Sequence, residues 1–145
     1  MRRLLASILL IASPIMWTDS ARACSCVRNP TAQGILDGAA AVFTGVAQTS
    51  ASAAGGRSIT TFRVVEPFKG AASGASLRVL HPSGSSASCG VKFTPGETYT
   101  LAAHHIDSDP GLTTSLCSTW MFGPNVGSCA DLIERMRAIR KGSTP

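Results

Sequence analysis

Residues that carry acid–base catalysis are scarce in this sequence. Its 145 residues include three histidines (His81, His104 and His105) and eight acidic residues. It contains no G-x-S-x-G motif, and its few acidic residues give little basis for a catalytic pair of carboxylates. Because no plausible acid–base pair stands out, the sequence does not predict an enzyme.

A long hydrophobic run is also missing. The apolar segment at residues 4–17 is 14 residues long, and a membrane-spanning helix needs roughly 20. Arg2 and Arg3 precede it, and Ala21-Arg22-Ala23 follows, which is the plan of a secretory signal with a small-x-small cleavage site. We therefore expect a signal peptide at residues 1–23, a mature chain that begins at Cys24, and a secreted or periplasmic protein.

The mature chain, residues 24–145, is long enough for one domain. Loss of three arginines and Asp19 with the signal lowers the formal net charge from +5 to +3. No basic stripe interleaved with aromatic residues runs through the body, so nucleic acid is not an expected partner. No membrane partner is expected either.

Alternation of β-branched and apolar residues predicts five short strands. We place them at residues 40–47, 58–66, 77–80, 98–103 and 112–117, with a loop at 48–57, a stop at Pro67 and another loop at 104–111. An early helix is expected with Asn29 as its cap, Pro30 at its first position and an end at Asp37-Gly38.

A second helix is predicted at about residues 128–141. Ser128 and Asp131 fit a capping box, and Gly142 follows the last turn. Four apolar residues fall on one helical face: Leu132, Ile133, Met136 and Ile139. The predicted fold class is therefore all-β, a small five-stranded barrel with a helix near each end.

All five cysteines lie in the mature chain: Cys24, Cys26, Cys89, Cys117 and Cys129. Export favours disulfides, and an odd number leaves at least one thiol free or paired with another chain. Spacing alone does not choose the pairs. Residues two apart on an extended segment point the same way, so disulfides from Cys24 and Cys26 could both attach the N-terminus to the barrel.

A terminal Cys24 would carry an α-amine with a reference pKa near 8, partly neutral at neutral pH. A neutral amine and the adjacent carbonyl oxygen can chelate a metal ion, and a catalytic zinc keeps one coordination position open. Two other metal hypotheses remain: soft-metal binding by the thiolates of C-S-C, and a site built from His104, His105, Asp107 and Asp109.

Several motifs together resemble the tissue inhibitors of metalloproteinases, the netrin-like branch of the OB-fold, in a bacterial-type single-domain form. They are, in order, C-S-C, A-A-A-V-F-T-G-V-A, T-T-F-R-V-V-E-P-F-K-G, P-S-G-S-S-A-S-C-G-V, Y-T-L-A-A and L-T-T-S-L-C-S. The resemblance implies a five-stranded Greek-key OB-fold barrel with Cys24–Cys89 and Cys26–Cys117 disulfides and an unpaired Cys129.

The resemblance also implies an inhibitory wedge and a partner, a zinc metalloprotease. Cys24 would chelate the zinc of that protease, Ser25 would enter its specificity pocket, and the protein would need no cofactor of its own. The remaining wedge residues would be Cys26, Val27, Ser86, Ala87, Ser88 and Cys89.

Three departures from the family bear on target choice. Leu36 occupies the helix position of a third family disulfide, a second disulfide-rich domain is absent, and the short segment 48–57 suggests that hairpin contacts are missing. Cys129 could join two chains or face the barrel as a thiol. The alternatives to inhibition are a non-inhibitory netrin-like binding module and a lipoprotein anchored at Cys24, although Ala21-Arg22-Ala23 lacks the usual Leu.

Overall fold

A computed structural model describes residues 26, 30–84, 89–106, 109–118 and 127–142, the side chains of 106, 109–110 and 127–129 excepted. Within these described residues, two helices flank five strands, and a short 3-10 helix follows the last strand. The elements are α1 (Ala32–Gly38), β1 (Ala41–Ala53), β2 (Arg57–Lys69), β3 (Ser76–Pro82), β4 (Thr98–Ile106), β5 (Asp109–Thr113), the 3-10 helix Leu116–Ser118 and α2 (Gly127–Arg140).

The five strands form a closed barrel in the order β1-β2-β3-β5-β4. Strand β1 pairs with both β2 and β4, which closes the sheet, and β3 and β5 form the parallel pair. The other pairs are antiparallel. The predicted fold class, an all-β OB-fold-like barrel with a helix near each end, is confirmed.

The prediction of a loop at residues 48–57 is wrong, because most of this segment belongs to a hairpin formed by β1 and β2. Ser50 pairs with Thr60 and Ala53 with Arg57, so cross-strand pairing overrides a loop-like composition. The connection is only residues 54–56, where Gly55 and Gly56 adopt φ values of 71° and 65°.

Two other strand limits differ from expectation. Strand β2 runs past Pro67 to Lys69, since Pro67 lies beside a register shift where its missing N–H is tolerated. The fifth strand ends at Thr113, and Cys117 lies in the 3-10 helix instead. Part of the expected loop at 104–111 belongs to β4 and β5.

Helix α1 is capped by Thr31, not by Asn29. The Thr31 hydroxyl accepts a hydrogen bond from the backbone N–H of Gly34 (3.0 Å), and Pro30 precedes the cap. Asn29 lies outside the described residues. The helix buries Ile35 and Leu36 on the face turned toward the barrel and α2.

Helix α2 begins at Gly127, so Ser128 lies inside the helix and the predicted capping box is wrong. Asp131 instead pairs with Arg135 (2.9 Å). The apolar face is as predicted: Met136 is fully buried, and its three companions pack half-buried beside it. The last turn closes on Gly142, whose φ is 73°.

The interior of the barrel is built on aromatic rings. Phe62 makes edge contacts with Phe43, Phe93 and Tyr99, at centroid distances of 5.9, 4.9 and 6.4 Å. A second cluster lies between the helices and the outer faces of β1 and β4, and it includes Leu36. Leu36 stands where the family that the motifs resemble has a third disulfide, and it contributes apolar packing between α1 and α2.

An ion-pair network ties α2 to β2. Arg137 binds Glu66 with two hydrogen bonds, from Nε (2.9 Å) and Nη2 (2.7 Å). Arg140 donates to the carbonyl oxygen of Pro67 (2.7 Å). The hydrogen bonds from Arg137 hold the pKa of Glu66 below its usual 4.5, although partial burial acts in the opposite direction.

Replacing Glu66 by Gln should lower the free energy of unfolding by about 1–2 kcal/mol at pH 7, since a half-buried charged hydrogen bond is lost. Because the carboxyl pKa is depressed in the folded state, this stabilisation is present above about pH 4.5 and disappears as the pH falls through the folded-state value. Urea unfolding at pH 7 and pH 3 measures both effects. Asp131→Asn, in a more exposed ion pair, is the control, and equal losses in both variants would contradict the account.

Candidate functional site

Three cysteines meet at one end of the barrel. Cys26 is bonded to Cys117 across a sequence separation of 91, with 5.1 Å between the Cα atoms. Next to Cys117, the backbone N–H of Leu116 donates to the carbonyl oxygen of Cys89 (3.2 Å). The segment containing Cys26 and the loop containing Cys89 are thus held on the same 3-10 helix.

The Cys26–Cys117 bridge is the one that the family resemblance implies. Cys89 is disulfide-bonded as well, and its implied partner Cys24 lies outside the described residues. The other proposed wedge residues also lie outside them: Ser25, Val27, Ser86, Ala87 and Ser88. Of the wedge, the structure therefore describes Cys26 and Cys89.

The loop that follows β3 has a closely fitted base. The N–H of Val91 donates to the carbonyl oxygen of Pro82 (3.0 Å), which closes the two ends of the loop. Gly90 packs so tightly that a Cβ there would lie 2.0 Å from the carbonyl oxygen of Gly84. Cys89 itself has φ = 60°, a left-handed conformation that is uncommon outside glycine.

The β1–β2 hairpin supports the same loop from the side. Both the N–H and the hydroxyl of Ser83 donate to the carbonyl oxygen of Gly56, at 3.0 and 2.7 Å. The tip of the hairpin therefore lies beside the start of the loop. The extended strands of the hairpin bring its tip to this position, and the expected absence of hairpin contacts with a target stays a prediction.

His81 lies inside the barrel, beneath the loop, rather than in a solvent-exposed position. It is 2% exposed, its Nε2 shares a 2.8 Å hydrogen bond with the Thr60 hydroxyl, and its ring meets Phe93 edge-on. Burial lowers the pKa of His81 below its usual 6.5, and the carbonyl groups of Pro82 and Val91 oppose that shift. In the sequence, His81 follows Leu77 and Val79 at alternate positions, and this period of two could have predicted its place in the core.

Of the alternative metal site, the structure describes His104 and His105, whereas Asp107 and the side chain of Asp109 lie outside the described residues. His104 and His105 are neighbours in β4, so their side chains point to opposite faces. His104 bonds the Gly38 carbonyl oxygen (3.1 Å) and the Ser118 hydroxyl (3.4 Å). Among the described residues, no group of three or more His, Cys, Asp or Glu side chains could hold a metal ion.

Cys129 is the third residue of α2, and the structure does not describe its side chain. Its pairing state and its proposed role in a dimer stay predictions. Within the part of the chain that is described, no helix has the length and apolar character needed to cross a membrane.

Comparison with other proteins adds no family assignment. The chain matches no protein-family model and no curated protein sequence. The family resemblance drawn from its motifs therefore stays a prediction.

His81→Gln should flatten the dependence of stability on pH. The unfolded chain takes up a proton as the pH falls below about 6.5, whereas the buried imidazole resists it, so the wild type loses stability from that pH down to the lower folded-state pKa. The wild-type slope should exceed that of the variant by up to ~1.4 kcal/mol per pH unit. Urea unfolding between pH 8 and 5 tests this, and parallel slopes would contradict it.

Gly90→Ala should destabilise the protein by about 1–3 kcal/mol, because its new methyl group overlaps the Gly84 carbonyl oxygen. Gly38→Ala is the matched control, since a Cβ at this last residue of α1 meets nothing within 4 Å. Thermal and urea unfolding compare the two variants. If both change stability equally, the base of the loop is not tightly packed.

Proposed function

We propose that this protein is a secreted inhibitor of zinc metalloendopeptidases, which acts through the N-terminal amine and carbonyl oxygen of Cys24. The observation that supports the proposal is the meeting of Cys26, Cys89 and Cys117 at one end of the barrel. Disulfides indicate an oxidising, extracytoplasmic environment, where such an inhibitor would meet its target.

The bridge at Cys26 limits where the terminus can go. Consecutive Cα atoms are about 3.8 Å apart, so the Cα of Cys24 must lie within roughly 7 Å of the Cα of Cys26. Cys26 is in turn bonded to Cys117. A cut after Ala23 would therefore create an amine whose position is largely set by the barrel.

A restrained amine and carbonyl oxygen suit a zinc ion with an open coordination position. Binding would displace the water that the protease uses, and the two donor atoms would form a five-membered chelate ring. Because the disulfide at Cys26 would order the segment beforehand, less conformational entropy would be lost on binding. The chain would act by occupying the metal site, with no catalysis and no cofactor of its own.

The neighbouring loops would supply protein contacts around the zinc. The loop after β3, with Ser86, Ala87 and Ser88, would flank the terminus on one side. The hairpin tip lies against Ser83 at the start of that loop and extends the same surface. These contacts would determine which protease is bound and how tightly.

A single alanine added before Cys24 should abolish inhibition, because the amine is moved one residue away from the chelating carbonyl oxygen. The test needs mature protein whose intact mass shows a free Cys24 amine, which also excludes acyl chains at that residue. Inhibition constants against a panel of zinc endopeptidases should rise at least 100-fold.

The control is the same alanine added after Pro145, which should inhibit as the native chain does. Acetylation of the native amine should reproduce the loss. Equal inhibition by both extended proteins would contradict chelation. Absence of inhibition by the native protein throughout the panel would instead favour a non-inhibitory netrin-like binding module.

A further inference from the structure

A row of hydroxyl groups connects the buried ring of His81 with the surface of the barrel. His81 is 2% exposed, and its Nε2 shares a 2.8 Å hydrogen bond with the hydroxyl of the fully buried Thr60. The Thr60 hydroxyl in turn donates to the hydroxyl of Ser50 (3.1 Å), which is an exposed residue of the β1–β2 hairpin. Because hydroxyl groups both donate and accept, this row can carry a proton between solvent and the imidazole.

The other side of the ring faces the base of the cysteine-bearing loop. We define this loop base as residues 82–84 and 89–91. The Nδ1 atom of His81 lies 3.3 Å from the carbonyl oxygen of Pro82, and the carbonyl group of Val91 also favours the protonated ring. The Pro82 oxygen is the same atom that accepts the loop-closing hydrogen bond from the N–H of Val91 (3.0 Å). A change at Nδ1 therefore reaches the bond that closes the loop.

Around the ring, the described residues provide no charge that would compensate a proton. Strands β1 and β2 present hydroxyl groups, and the ring of Phe93 meets the imidazole edge-on at 4.8 Å. Strand β5 pairs with β3 through two uncharged residues. Arg57 of β2 donates to a carbonyl oxygen of the hairpin turn, and Lys92 is exposed. On the β4 side, the exposed Glu97 accepts a hydrogen bond from the hydroxyl of Tyr99 (3.1 Å).

We propose that His81 positions the loop base and that protonation of its ring releases this base from the barrel. While the ring is neutral, it packs between Thr60 and Phe93, and the loop base closes over it. A proton would place an uncompensated charge in the interior, which is fully solvated only if the loop base opens. The loop carbonyl groups favour the charged ring, but burial outweighs them and lowers the pKa of His81 below 6.5. The open form therefore takes up the proton more readily than the closed form.

The conformation of Cys89 makes the loop base sensitive to such a change. Its φ of 60° is a left-handed conformation that persists only where the surrounding contacts hold it. Its carbonyl oxygen accepts the N–H of Leu116 (3.2 Å), in the 3-10 helix that also carries Cys117. Opening of the loop base would loosen this contact. In a step that rests on the proposed inhibitory function, inhibition would then weaken as the pH falls below about 6.5.

The test measures hydrogen exchange of backbone amides in the mature protein by NMR between pH 8 and 5. Rates are expressed as protection factors, which remove the intrinsic dependence of exchange on pH. The Val91 and Leu116 amides hold the loop base, so their protection should fall by up to about ten-fold per pH unit below about pH 6.5. The Gly74 amide, which donates to the Val64 carbonyl oxygen (2.8 Å) between β2 and β3, is the internal control and should keep its protection.

Two variants assign the effect to one histidine. His81→Gln keeps a hydrogen-bonding side chain that does not titrate, so its Val91 protection should stay constant over this range. The matched control, His105→Gln at an exposed position of β4, should keep the wild-type dependence. A pH dependence that persists in His81→Gln would overturn the proposal.

The wild type alone also decides the outcome, even if the His81 variant does not fold. Protection of Val91 and Leu116 that is independent of pH would overturn the proposal. An equal fall at Gly74 would overturn it as well, because the whole barrel would then be opening. The measurement uses no protease, so its failure is distinguishable from failure of the proposed inhibitory function.

Discussion

The barrel depends on the packing around the ring of Phe62. From β2, this ring contacts Phe43 of β1, Tyr99 of β4 and Phe93 of the segment between β3 and β4. Phe93 is only four residues beyond Cys89, so one cluster of rings joins the strands and anchors the end of the cysteine-bearing loop. The aromatic residues are few, but several of them meet at this point.

The candidate site inherits its rigidity from that core. The loop after β3 is closed across its ends by Val91 and Pro82, supported by the hairpin at Ser83, and connected through Cys89 to the 3-10 helix. The disulfide to Cys117 holds Cys26 on the same 3-10 helix. In the proposed inhibitor, the barrel serves to order the terminal amine before any protease is met.

The barrel class and the apolar face of α2 could be predicted because they depend on local periodicity, as at Phe62 and Met136. The hairpin could not, because Ser50 and Ala53 become strand residues only through pairing with β2. Cap positions were misplaced because Thr31 is as good a cap as Asn29. Spacing left the disulfides open, and the Cys26–Cys117 pair came from the resemblance alone.

The most direct test of the central claim uses a zinc endopeptidase that the protein inhibits and whose zinc has been replaced by cobalt. The visible absorption spectrum of this enzyme is recorded as the protein is added in increasing amounts. Chelation by the amine and carbonyl oxygen of Cys24 replaces metal-bound water, so the cobalt bands should shift in proportion to complex formed. Inhibition that leaves these bands unchanged would contradict the account, because the terminus would then bind away from the metal.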